Sequence, residues 1–217
     1  MSDYLVELAK NPQVRNLVKN MGLPVPMPQD LRRPKQPRGD RDLADRVVGL
    51  FIAQSSPLSE VLARTLAVGG ASMRVASAEG APAVFAEQAE AWARPLAEEA
   101  VVLDVDDDEK VKYDALVFDA TGLGSAGQLR QLYDYFHPRL RSLARNGRIV
   151  VIGRDPARQT TPGAAAAQAA LDGFARSIAK EVGAKGSTAQ LLTVAAGAEA
   201  QVAGPLRFFL GSQSTYV

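Results

Sequence analysis

The stretch YDALVFDATGLGSAG, residues 113–127, decides the fold class. Apolar residues dominate from Tyr113 to Ala120, which predicts a buried strand. Gly122, Gly124 and Gly127 follow at once and form a G-x-G-x-x-G pattern between that strand and a predicted helix. A buried strand that passes through a turn into a helix is the repeating unit of a parallel α/β sheet.

The same alternation of apolar strands and helices extends in both directions from this stretch. It predicts a doubly wound parallel sheet with helices on both faces, a three-layer α/β sandwich of the Rossmann-like or flavodoxin-like kind. The predicted strands are Val47–Ala53, Ala71–Ala76, Ala100–Leu103, Tyr113–Ala120, Arg148–Gly153 and Ala189–Val194. The predicted helices are Pro57–Val68, Ala83–Arg94, Gln128–Leu143, Ala164–Val182 and Glu199–Leu210.

The first residues of the chain differ from this pattern. An amphipathic helix is predicted over 4–21, and the prolines between Pro24 and Arg41 predict an extended arm. We interpret the arm as a linker or a strap across a neighbouring domain, with a basic binding arm as the alternative. The chain therefore divides into residues 1–41 and an α/β domain at 42–217. Residues 214–217 look like the beginning of a strand, so we expect the domain to be truncated there.

Composition excludes several classes of function. The net charge is +1, which gives no global field to attract nucleic acid or an anionic membrane. The chain has no cysteine, which excludes disulfides and thiolate chemistry, and its single histidine, His137, argues against a histidine-rich metal centre. No apolar run is long enough to predict a membrane span, and the first residues lack a signal-peptide pattern. We expect a cytoplasmic location and no metal site.

Two turns are candidates for binding a nucleotide phosphate. The Gly122–Gly127 turn follows a strand and precedes a helix, which is the context that a dinucleotide-binding motif needs. The alternative is a structural turn without a ligand. The turn after the first strand, residues 53–59, has no glycine, so Ser55 and Ser56 would have to line a phosphate loop through their hydroxyl groups. The alternative at this turn is a helix cap by Ser56 with Pro57 as the first helical residue.

Three other polar features have structural interpretations. His137 and Tyr133 are one helical turn apart and are read as a packing or surface pair, because no nucleophile or orienting group accompanies them. The acidic run 104–109 is read as a solvated turn rather than a cation site. A local cluster of arginines is read as a solvated face, with contact to an acidic carrier protein or sister domain as the alternative. Its members are Arg130, Arg139, Arg141, Arg145 and Arg148.

An ordered set of segments resembles the short-chain dehydrogenase/reductases. Residues 114–122 are similar to that family's D-x-L-V-N-N-A-G strand, with both asparagines changed. Residues 147–154 are similar to G-R-I-V-N-I-S-S, with Arg154 at the serine position. The helix from Ala164 resembles the family's catalytic helix, which carries Tyr-x-x-x-Lys. Ala164 stands at the tyrosine position and Gln168 at the lysine position.

The whole set resembles one subgroup, the N-terminal region of the high-molecular-weight 3-oxoacyl-acyl-carrier-protein reductases. In those proteins a catalytically silent, flavodoxin-like domain precedes a complete reductase domain. The resemblance implies a non-catalytic domain of an NAD(P)H-dependent 3-oxoacyl-thioester reductase of fatty-acid metabolism. It implies no cofactor in this segment and NADH or NADPH in the parent protein. The implied partners are a downstream reductase domain, a possible second copy, and an acyl-carrier protein or acyl-CoA as the parent's substrate.

The missing Tyr-x-x-x-Lys pair decides the predicted chemistry. None of the five tyrosines has a lysine four residues later. In the reductases that lysine lowers the pKa of the phenol and holds the coenzyme ribose, so the phenol can protonate a carbonyl. We therefore predict no catalytic residue in this chain. The alternatives are a nucleotide- or flavin-binding module that uses the Gly122–Gly127 or Ser55–Ser59 turn, and a scaffold that dimerises.

Overall fold

The computed structural model describes residues 11–21, 31, 39–53, 55–103 and 111–215. Its strands are β1 (Val47–Phe51), β2 (Ser72–Ala76), β3 (Leu96–Glu99), β4 (Tyr113–Asp119), β5 (Leu143–Gly153) and β6 (Thr188–Thr193). Its helices are α1 (Pro12–Asn20), α2 (Ser59–Gly69), α3 (Ala83–Ala91), α4 (Arg130–Arg139), α5 (Pro162–Gly183) and α6 (Ala203–Leu210).

The six strands form one parallel sheet in the order β3-β2-β1-β4-β5-β6. This is the strand order of the Rossmann fold, whereas flavodoxin-like sheets have the order 2-1-3-4-5. The predicted doubly wound α/β class is confirmed, and the topology is the Rossmann one. Because β1 and β4 are neighbours in the sheet but not in the chain, the direction of winding reverses between them.

Each face of the sheet has its own hydrophobic core. Leu50 of β1 and Ile52, which directly follows the strand, contribute to the core that also contains Leu62 and Leu66 of α2. Phe51, between them in sequence, contributes to the opposite core with residues of α4 and α5. Side chains of a strand alternate between the faces, so β1 is buried on both sides, as central parallel strands are. The fold therefore fixes β1 and β4 rigidly at the centre of the sheet.

Helix α5 begins at a well-defined cap beside the ends of β4 and β5. The Thr161 hydroxyl accepts a hydrogen bond from the Ala164 amide at 3.2 Å, and Pro162 occupies the first helical position. Gly153, at the end of β5, lets the helix approach closely. A Cβ atom at Gly153 would lie 2.5 Å from Leu171 Cδ1 and 3.0 Å from Gln168 Oε1. The start of α5 is therefore held against the carboxyl end of the sheet.

The predicted strand at Ala100–Leu103 was wrong, because β3 lies at Leu96–Glu99. The strand was missed because two of its four residues, Glu98 and Glu99, are charged. The Glu99 carboxylate is nevertheless buried, since it accepts hydrogen bonds from Tyr113 Oη at 2.7 Å and Arg139 Nη2 at 3.1 Å and pairs with Arg74. These partners compensate for its loss of hydration.

The predicted solvated arginine face was wrong for two of its members. Arg139 is fully buried and donates hydrogen bonds to the carbonyl oxygens of Ala100 at 2.7 Å and Val101 at 2.8 Å. Arg148 is 2% exposed and donates to Thr215 Oγ1 at 3.2 Å. Arg130, Arg141 and Arg145 are exposed. The five arginines therefore do not form one surface.

Several boundaries differ from those predicted. Strand β5 begins at Leu143 rather than Arg148, and α4 ends at Arg139, directly after Pro138. Ser214 lies in a short 3-10 turn, Ser212–Ser214, and not in a strand. Residues 1–10, 22–30, 32–38, 54, 104–110 and 216–217 lie outside the described residues, and with them most of the predicted arm, one residue of the predicted serine turn, the acidic run and the last two residues of the predicted strand.

Across the parts of the chain that the structure describes, none of the helices combines the length and the hydropathy that a bilayer crossing requires.

Candidate functional site

The candidate site lies where the winding of the sheet reverses. From β1 the chain enters α2 on one face, and from β4 it leads to α4 on the other. In open α/β sheets, ligands bind in the crevice outside the carboxyl ends of the strands at this reversal. We call the space between residues 52–53 and 55–58 on one side and 119–124 on the other, bordered by the end of β5 and the first turns of α5, the switch-point crevice. Both predicted phosphate turns border it.

The turn between β1 and α2 uses its polar groups internally. Ser56 Oγ accepts a hydrogen bond from the Leu58 amide at 3.1 Å, and the Ser56 carbonyl accepts one from the Ser59 amide at 3.2 Å. The helix begins at Ser59, and Leu58 provides no side-chain cap. The predicted helix start at Pro57 was therefore wrong, since the helix begins two residues later, although Ser56 Oγ does accept a backbone amide as a capping side chain does. Ser56 thus accepts hydrogen bonds from two backbone amides, those of Leu58 and Ser59, that a phosphate at this helix start would need as donors.

A carboxylate lies at the base of the crevice. Asp119, the last residue of β4, is 5% exposed, and Ser56 Oγ donates a hydrogen bond to it across the gap between β1 and β4. The Thr121 amide and hydroxyl donate to the same carboxylate at 2.9 and 2.6 Å. The sequence analysis did not select Asp119 as a site residue. The available signal was its position, at the end of a buried strand and in place of an asparagine of the family pattern.

The glycine-rich turn is exposed beside the crevice. Gly124 donates its amide to Gln128 Oε1 at 2.7 Å, and none of the glycines at 122, 124 and 127 has a positive φ. Among the described residues, no atom lies within 4 Å of the position that a Cβ would take at Gly122 or Gly127. Backbone conformation and packing therefore do not require glycine at these two positions.

Gln168 makes three side-chain hydrogen bonds at the crevice. Its Nε2 donates hydrogen bonds to the carbonyl oxygens of Ala120 at 2.8 Å and Leu123 at 3.0 Å. Its Oε1 accepts one from the Arg154 amide at 2.7 Å. The side chain is 2% exposed, so these bonds are made away from water. Gln168 thus connects the residues that follow β4 with the residue that follows β5, and its side-chain amide bonds to backbone groups on both sides.

The other two family positions also lack a proton donor. Ala164 lies one helical turn before Gln168 and presents a methyl group. Arg154 donates from Nη2 to Glu199 Oε1 at 2.7 Å and from Nη1 to the Val194 carbonyl at 3.3 Å. The hydrogen bond from Arg154 lowers the pKa of the Glu199 carboxyl. The guanidinium therefore holds the segment that follows β6.

Two observations concern polar residues outside the crevice. His137 stacks on Tyr133 with 4.7 Å between ring centroids, which confirms the predicted packing pair. Within the described ranges, no three His, Asp or Glu side chains are close enough together to hold a metal ion.

Comparisons with known proteins identify the fold. No family model and no curated protein matches the chain. Among solved structures, a short-chain dehydrogenase/reductase mutant from Serratia marcescens matches with a TM-score of 0.62 and 17% identity, over 81% of this chain and 94% of the other. A dehydrogenase/reductase from Sinorhizobium meliloti matches with a TM-score of 0.62 and 21% identity, over 82% and 92%.

A third similar structure contains a coenzyme. It is a short-chain dehydrogenase from Burkholderia cenocepacia in complex with NADP, with a TM-score of 0.61 and 21% identity over 82% of this chain and 94% of the other. At these identities the comparisons show that this chain has the Rossmann-like fold of the short-chain dehydrogenase/reductases. Function has to be argued from the site, because one fold carries many activities.

Proposed function

We propose that this chain is a non-catalytic domain of an NAD(P)H-dependent 3-oxoacyl-thioester reductase, with the active site in a downstream domain of the same polypeptide. The proposal places the chain among the short-chain dehydrogenase/reductases, in the high-molecular-weight 3-oxoacyl-acyl-carrier-protein reductases. The observation that carries it is the position of Gln168, whose buried amide bonds to backbone groups where a reductase needs a lysine.

The chemistry of carbonyl reduction supports this assignment. As a hydride reaches the carbonyl carbon, an acid has to protonate the carbonyl oxygen. An arginine guanidinium stays charged in proteins and is a poor proton donor, and neither the methyl group of Ala164 nor the amide of Gln168 is an acid. We therefore assign no catalytic role to Arg154, Ala164 or Gln168. We also propose that this segment binds no coenzyme and that the parent protein uses NADH or NADPH.

The proposed domain boundaries follow the contacts at residue 42. Arg207 of α6 donates to Asp42 Oδ1 at 2.9 Å, which attaches the start of the α/β domain to its last helix. We assign residues 1–41 to a helix and arm outside the domain and 42–217 to a domain that continues into a longer chain. We further propose a cytoplasmic parent protein whose substrate is bound to an acyl-carrier protein or to coenzyme A.

Turnover by the isolated chain tests the proposal. The purified 217-residue protein is mixed with NADPH or NADH and acetoacetyl-coenzyme A, and coenzyme oxidation is followed by absorbance. We expect a rate equal to that without protein. Oxidation that increases with protein concentration and is lost in an Arg154→Ala variant would contradict the assignment. A gene that encodes no glycine-rich turn and no Tyr-x-x-x-Lys beyond Val217 would contradict the placement in a two-domain reductase.

The second candidate is a nucleotide- or flavin-binding module at the Gly122–Gly127 turn. The observation that favours it is the open space at Gly122 and Gly127 beside the crevice. Calorimetric titration with NADPH, NADH and FMN tests it, with Gly124→Val as the control variant. A Cβ at Gly124 has only Gln128 Oε1 nearby, at 3.7 Å, so the variant is expected to fold. Micromolar binding that is lost in the variant would favour this module.

A further inference from the structure

We infer that Ser56 and Asp119 close the switch-point crevice to dinucleotides, and that these two residues, rather than the changes at 164 and 168, determine that the domain binds no NAD(P)H. The inference rests on the proposed function, which assigns no coenzyme to this segment. It names the residues that prevent coenzyme binding and says which pair of substitutions would restore it.

The first argument concerns the donors that a diphosphate needs. In Rossmann folds the coenzyme diphosphate lies against the turn after the first strand, where glycines allow the backbone to approach and the helix start provides free amides. Here the Leu58 amide is bonded to Ser56 Oγ and the Ser59 amide to the Ser56 carbonyl. Glu60 adds a negative charge in the first turn of α2. The residues of this turn do not fit a diphosphate.

The second argument concerns the base of the crevice. The hydrogen bond from Ser56 Oγ to the Asp119 carboxylate spans the gap between the ends of β1 and β4. A dinucleotide that crosses the sheet at the reversal of winding has to pass this gap. It would have to displace the bond and bring a diphosphate near a carboxylate that is 5% exposed, where repulsion is less screened than in water.

The third argument concerns the two family positions themselves. Ala164 lies in the first turn of α5, and Gln168 is buried beneath it. Restoring tyrosine and lysine at these positions leaves the bond between Ser56 and Asp119 in place. The pair at 164 and 168 therefore supplies groups to a coenzyme that has already entered, a contact to its ribose and an acid for the substrate, whereas the pair at 56 and 119 determines whether a coenzyme enters.

Four variants test the inference by NADPH binding, measured by calorimetry and coenzyme fluorescence at low salt. Ser56→Gly with Asp119→Asn opens the gap, and Ala164→Tyr with Gln168→Lys restores the family pair. Asp119→Asn alone removes the charge and keeps the size, and its amide can still bond to both neighbours, so it is expected to fold. Asp114→Asn is the matched control, because Asp114 lies at the other end of β4 and accepts a hydrogen bond from the Val47 amide at 3.0 Å.

We expect no saturable binding to the wild type, to Asp114→Asn or to the Ala164→Tyr, Gln168→Lys variant. The opened double variant is expected to bind NADPH at least tenfold more tightly than the wild type, and Asp119→Asn alone at least threefold. The inference would be overturned if NADPH bound the Ala164→Tyr, Gln168→Lys variant but not the Ser56→Gly, Asp119→Asn variant. It would also be overturned if neither of the two variants with Asp119→Asn, both folded, bound NADPH more tightly than the wild type. Wild-type binding without turnover would overturn it and leave the proposed function intact, whereas wild-type turnover would overturn the proposed function.

Discussion

Replacing Gln168 with alanine should destabilise this domain far more than an exposed glutamine would. The substitution removes the partner of the Leu123 carbonyl and of the Arg154 amide, and one of the two partners of the Ala120 carbonyl, which also accepts from the Leu123 amide at 3.1 Å. At about 1 kcal/mol for each lost hydrogen bond, the loss is about 3 kcal/mol, and more where the groups stay dry. That is a large share of the 5–15 kcal/mol of a typical domain. For roughly 200 residues it corresponds to a fall in melting temperature of about 6–12 °C.

Thermal melts followed by circular dichroism, together with urea unfolding, measure this loss. Gln201→Ala is the matched control, because Gln201 is exposed in a short 3-10 turn, and we expect its free energy of unfolding to change by less than about 0.5 kcal/mol. Gln168→Lys should also be destabilised, since lysine can donate to the two carbonyls but offers no acceptor to the Arg154 amide. A melting temperature of Gln168→Ala within about 2 °C of the wild type would show that the amide is not held as described.

Three further predictions test other parts of the structure. Gly153→Ala should lower the free energy of unfolding by about 1–3 kcal/mol, because its Cβ would lie 2.5 Å from Leu171 Cδ1. The control Gly173→Ala, whose Cβ would have no packing neighbour within 4 Å among the described residues, should raise the free energy of unfolding by up to about 1 kcal/mol. Urea unfolding measures both changes. The Tyr135 hydroxyl is the one buried side-chain polar atom without a partner among the described residues, so Tyr135→Phe should leave stability equal or higher in the same assay. Burial raises the pKa of Tyr113 from 10.0 to about 12. Because the folded state binds this proton more tightly than the unfolded state, the free energy of unfolding should fall as the pH rises from about 10 to 12. In Tyr113→Phe the melting temperature should fall less steeply over the same pH range.

The central strands could be predicted from the sequence because both of their faces are buried. Strand β1, residues 115–118 of β4 and the end of β5 from Ile149 are continuous apolar runs, and the carboxyl ends of these strands were predicted to within two residues. Strand β3 was missed because it carries Glu98 and Glu99. Its burial depends on Arg74 and Arg139, which are 25 and 40 residues away in the chain. Local pattern carries no information on such a distant pairing.

The candidate site divides in the same way. The absence of a proton donor at 154, 164 and 168 follows from the residue types, so it could be read from the sequence. The use of Gln168 could not, because its partners lie 14, 45 and 48 residues away. The bond between Ser56 and Asp119 joins residues 63 apart, and only the strand order brings them together.

The most direct measurement of the central claim is the side-chain amide signal of Gln168 in a proton–nitrogen NMR spectrum, followed during titration with NADPH. The signal is identified by its absence in Gln168→Glu. Because both amide protons are buried and bonded to carbonyl oxygens, the account predicts slow exchange with water and a chemical shift that NADPH does not change. A fast-exchanging signal, or one that moves saturably as NADPH is added, would contradict the account.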